Sequence, residues 1–80
     1  MPTVLRIGPY RFYFYSNEEG EPPHIHISSS DAEAKFWLEP VELAYNYGYR
    51  GHELRRIERL VIENLTVLVE SWYEYASRKQ

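Results

Sequence analysis

An α+β domain is predicted: an antiparallel meander of about four strands, or five, with one face packed on a long C-terminal helix. Three observations predict it. Residues 3–47 hold short aromatic or alternating runs, separated by turn signals at Gly8-Pro9, at 17–23, at Ser30-Asp31 and at Pro40. Beyond Gly51 there is neither glycine nor proline, and Leu54, Ile57, Val61, Leu65, Leu68, Trp72 and Tyr75 recur at helical spacing. At 80 residues, the chain forms a single domain, 1–80, with room for one core between two packed elements.

The elements follow in order. Residues 3–7 (TVLRI) read as a strand, and Gly8-Pro9 turns the chain into 11–16 (RFYFYS), whose aromatics favour a pleated surface. The polar stretch 17–23, with Gly20 and two prolines, is a loop; His24 to Ser29 alternates, and Ala32 to Leu38 follows a two-residue turn. Val41 to Tyr47 reads either as a fifth strand or as an irregular connection, because Pro40 interrupts. A continuous helix from about Gly51 to Ser77 would be roughly 40 Å long, more than a seven-residue strand spans, so an overhang or a bend near Thr66 is expected. Val67, Val69 and Tyr73 lie off the main apolar stripe, which makes this end of the helix a candidate homodimer or partner contact.

If Ser30-Asp31 is the turn, paired residue numbers sum to 61: His26 faces Lys35, His24 faces Trp37 and Ile25 faces Phe36. Alternation then gathers Ile25, Ile27, Ala34, Phe36 and Leu38 on one face, and His24, His26, Glu33, Lys35 and Trp37 on the other. Matching Phe12 and Phe14 to the isoleucines brings Arg11, Tyr13 and Tyr15 beside the histidines. The first face is expected beneath the helix. The second is expected to be exposed.

Composition narrows what that second face does. The chain is 44% hydrophobic and 16% aromatic, which is the make-up of a folded protein, and without cysteine it has neither disulfide nor thiolate chemistry. The net charge of −3 argues against a broad nucleic-acid surface, although Arg50, Arg55, Arg56 and Arg59 cluster. No window approaches ~18 consecutive apolar residues and the first residues lack a signal-peptide core, so no membrane contact and a cytoplasmic location are expected.

Two imidazoles can act as general base and general acid, the pairing used when a 2′-hydroxyl attacks an RNA phosphodiester. On that reading His24 and His26 transfer protons, Arg11 and Lys35 hold phosphate, and Tyr15 and Trp37 contact the substrate through their rings. The spacing argues the other way: residues i and i+2 on a strand approach a substrate from the same side. As zinc ligands the pair lacks a third partner at diagnostic spacing among Glu18, Glu19, Glu21 and His52, and Lys35 across the strand repels a cation, so neither metal nor cofactor is expected. The plainer alternative is a pair of half-exposed strand histidines, one of them hydrogen-bonded to a tyrosine or the backbone. Helix-surface pairing of Glu53 with Arg56 and Arg59 with Glu63 explains most of the arginines.

The runs FYFYSNE (12–18), PPHIHI (22–27) and AKFWL (34–38), followed by Pro40-Val41, Glu53-Leu54 and a helix ending near Trp72, resemble a family of small bacterial proteins: a domain of unknown function with a Pro-Pro-His-Ile-His-Val signature. Members often stand beside a second small protein in what are suspected to be toxin–antitoxin pairs. The resemblance therefore implies a toxin-like component with a cognate antitoxin-like partner, while RNA as a substrate is the reading of the histidine face given above. The alternatives are a non-catalytic interaction module and a metal- or small-ligand-binding domain. The resemblance carries onto Pro22, Pro23, His24, His26, Lys35 and Trp37. The chain departs at Arg50, where family members tend to carry a serine that caps the helix.

Overall fold

In the computed structural model, residues 3–15 and 20–78 are described. Five strands run β1 (Thr3–Ile7), β2 (Tyr10–Tyr13), β3 (His24–Ser29), β4 (Ala32–Leu38) and β5 (Val41–Tyr47), followed by helices α1 (Gly51–Glu63) and α2 (Leu65–Arg78). The strands form one antiparallel meander in chain order, β1-β2-β3-β4-β5. Val41–Tyr47 is thus a full strand. Ser16, at the expected end of β2, lies outside the described residues, and the ladder already ends at Tyr13.

The β3–β4 register is the expected one: His24 pairs with Trp37, Ile25 with Phe36 and His26 with Lys35. Ser30 makes the turn with φ of 46°, a left-handed conformation that costs a residue with a Cβ. Across β2 and β3, Phe12 pairs with Ile27 and Tyr13 with His26, so the tyrosines flank the histidines as alternation requires. The β4–β5 ladder is less regular. Phe36 pairs with Leu43 but Lys35 pairs with Tyr45, which leaves Ala44 as the extra residue of a β-bulge. Gly48 closes this hairpin's far end at φ 101°, where a Cβ would come 3.1 Å from the Cβ of Ala32.

The core lies between the sheet and the helices. Phe12, Phe14, Ile25, Ile27, Ala34, Phe36 and Leu38 are buried against Ile57, Val61, Leu68 and Trp72, with Leu54, Leu65, Val69 and Tyr75 packed around them. Burying aliphatic and aromatic side chains of this size contributes about 1.5–3 kcal/mol each. At the start of α1, Arg50 occupies the N-cap with no side-chain hydrogen bond, and its carbonyl receives the Leu54 amide at 2.8 Å.

The single long helix is corrected to two. The break falls at Asn64, two positions before Thr66, where the backbone leaves helical geometry at φ −112° and ψ 19°. Asn64 bonds through its side-chain amide to the carbonyl of Leu60 at 2.8 Å, a local competitor to helix propagation, and its own carbonyl accepts the amide of Leu68 in the first turn of α2 at 3.0 Å. With the chain bent there, α1 packs on β5 while α2 packs on β3 and β4 instead of overhanging the sheet. Val69 joins the core; Val67 and Tyr73 are exposed, and the Tyr73 hydroxyl donates to Glu39 at 2.8 Å.

Candidate functional site

His24 and His26 are on the sheet face opposite Ile25 and Ile27, but neither is exposed: their side chains are 0% and 1% accessible. This corrects the expectation of an open, half-exposed pair. Neighbouring rings enclose them. Tyr13 stacks on His26 with centroids 5.5 Å apart, Tyr15 meets it edge-on at 4.4 Å, and the two imidazoles stand perpendicular at 5.2 Å. His24 is also 5.7 Å from Trp37 and 4.6 Å from Trp72, so α2 reaches one of the histidines as well as the apolar core.

Hydrogen bonding fixes how each ring is used. His24 Nδ1 lies 2.9 Å from the carbonyl oxygen of Pro22; a carbonyl only accepts, so this nitrogen carries a proton. The Tyr45 hydroxyl donates to Glu33 Oε2 at 2.8 Å, leaving its oxygen to accept from His26 Nδ1 at 3.2 Å. In each ring Nδ1 is thus the nitrogen that donates within this network. Glu33 is the hub of this network: the same Oε2 accepts from Tyr15 at 3.3 Å and lies 3.5 Å from His26 Nδ1. Tyr13 and Tyr15 place their hydroxyls 3.4 Å apart. Burial first, then the Tyr15 hydrogen bond and the Glu33 charge, push the Tyr13 phenol well above its ordinary range, so it stays neutral.

The predicted substrate-holding groups are nearby and already engaged. Lys35 is only 8% exposed; its Nζ donates to Glu21 Oε1 at 2.6 Å and stands 4.6 Å over the Trp37 ring. Arg11 donates to Thr3 Oγ1 at 2.8 Å and lays its guanidinium 4.5 Å over Tyr13, toward the β1 side of the face. The structure thus gathers His24, His26, Lys35, Trp37 and Tyr15 into one cluster, with Arg11 at its margin. No buried side-chain nitrogen or oxygen among the described residues lacks a partner.

Tyr45 is the participant that sequence reasoning missed. Without the bulge at Ala44, strict alternation would turn Tyr45 toward the helices; the extra residue turns it to the histidines. The aromatic run around it was the available signal. Glu21, by sequence a candidate metal ligand, instead pairs its carboxylate with Lys35. Among the described residues no group of three or more histidine or acidic side chains is arranged to hold a metal ion, and Glu18 and Glu19 lie outside those residues.

A family model described as a domain of unknown function, DUF4160, matches residues 10–73. The chain belongs to that family. The DUF4160 match begins at Tyr10 and spans every residue of the cluster, from Arg11 through Tyr45 to Trp72, so the histidine face is part of the family's domain. No curated protein and no solved structure gives a significant match. Among the described residues, no helix is long and apolar enough to cross a membrane.

Proposed function

We propose that the histidine face is a proton-transfer site acting on RNA, and that the chain is the toxin-like component of a two-protein module whose partner is a small antitoxin-like protein. One observation carries the reading. Glu33, through the Tyr45 hydroxyl, fixes the ring and tautomer of His26, the arrangement that orients a general base. In the proposed reaction His26 Nε2 takes the proton of the attacking 2′-hydroxyl as the new oxygen–phosphorus bond forms. The bond to the leaving 5′-oxygen breaks, and that oxygen takes a proton from a protonated His24. Lys35 offsets the phosphate charge, and Trp37 and Tyr15 contact the nucleotide.

Purified protein incubated with labelled single-stranded RNA tests this. The expected result is cleavage that falls about 10²–10⁴-fold in His26→Gln at unchanged melting temperature. Equal cleavage by the variant, or none by the wild type, overturns it. A second reading is favoured by the near-zero exposure of both histidines, which fits a structural network supporting a non-catalytic interaction module. On that reading the exposed Ile62, Val67 and Tyr73 of the helices meet the partner, and the variant keeps partner binding.

A further inference from the structure

We infer that the Glu21 carboxylate occupies an anion-binding site of this face, so that the free protein is self-blocked and a phosphate group binds by displacing it; the identity of that phosphate as RNA rests on the reading above.

The two partners of the ion pair differ in what they stand to lose. Lys35 is 8% exposed and held by the β4 ladder, with its ammonium over Trp37. A cation so placed is costly to leave unpaired. Glu21, 41% exposed, reaches it from outside the strand, and its carboxylate regains water by side-chain rotation alone. The cation is thus the fixed part of the site and the carboxylate the exchangeable one.

The position of Glu21 Oε1 supports this. It is 2.6 Å from Lys35 Nζ and 3.9 Å from His24 Nδ1, where an anionic oxygen would meet the ammonium beside the His24 imidazole. The backbone just after Glu21 is tied down: Pro22 O accepts from His24 and Pro23 O accepts from the Leu38 amide at 3.0 Å. Glu21 can therefore swing away while β3 stays paired. A phosphate carries more acceptor oxygens than the carboxylate it replaces, and this favours the exchange.

The test measures binding of inorganic phosphate, by titration at fixed ionic strength, and of a labelled RNA oligonucleotide. Wild type, Glu21→Gln and Lys35→Met are compared, each checked for an unchanged melting transition. Phosphate is expected to bind Glu21→Gln at least about fivefold more tightly than wild type, and Lys35→Met only at background. Unchanged or weaker phosphate binding by Glu21→Gln, or equal binding by all three proteins, overturns the proposal. Should Lys35→Met fail to fold, the Glu21→Gln comparison alone decides. Tighter phosphate binding by Glu21→Gln with no RNA cleavage by any form leaves the anion site standing and removes the RNA reading.

Discussion

On one face of the sheet Phe12, Ile25, Ile27, Phe36 and Leu38 meet Ile57, Val61 and Leu68, and the contacts are apolar and without direction. On the other, His24, His26, Tyr13 and Lys35 are buried nearly as deeply, yet each sits among rings and hydrogen bonds of defined geometry. The same alternation along β2, β3 and β4 generates both. The difference is in what burial demands: an apolar side chain asks only for volume, whereas a buried imidazole or ammonium needs a partner at a fixed distance. A network that meets this demand is also one in which proton positions are set, so the polar face is where chemistry is to be sought.

The sharpest way to break the comparison is through volume. Phe36→Ala is expected to cost about 3–5 kcal/mol, read by denaturant unfolding, because it opens a cavity beneath the helices. A loss below about 1 kcal/mol would mean that the apolar face is not the main source of stability. Tyr45→Phe removes one hydroxyl and almost no volume. It is expected to cost about 1–2 kcal/mol by stranding the bonds to Glu33 and His26 and, on the proposed function, to lower RNA cleavage while the circular dichroism spectrum is unchanged.

Alkaline pH probes both faces. Burial, foremost, raises the phenols of Tyr13 on the polar face and of Tyr10 and Tyr49 in the core. In the unfolded chain tyrosine loses its proton near pH 10 while the folded phenols keep theirs, so the unfolded state binds fewer protons and stability falls as pH rises beyond that point. The expected slope is up to about 1.4 kcal/mol per pH unit for each such tyrosine, and Tyr13→Phe should flatten it. An unchanged slope in that variant would separate Tyr13 from the network. The smallest effect is expected at the shared turn, where Ser30→Gly relieves the positive φ and stabilises by about 0.5–1 kcal/mol with both faces intact. Lower stability would show that the Ser30 side chain holds the turn.

Much of this was legible in advance because strand alternation and a two-residue turn are local rules. The sums to 61 that set His26 against Lys35 and His24 against Trp37 need only the positions of Ser30 and Asp31. Helical spacing likewise marked Ile57, Val61, Leu68 and Trp72 as buried. Exposure of the histidines was misjudged because the side chains around them come from separate strands and from α2, and no local pattern counts such neighbours. The bend expected near Thr66 falls at Asn64, where a side-chain amide competes for the Leu60 carbonyl.

By itself, the sequence determined the α+β class, the β3–β4 register and the two lists of residues that share a face, since each follows from periodicity and turn chemistry within a few positions. The tertiary structure alone decided three things. The bulge at Ala44 delivers Tyr45 to His26, the break at Asn64 lets Trp72 cover His24, and the loop brings Glu21 onto Lys35. Each depends on distances between segments far apart in the chain, and those are set by packing.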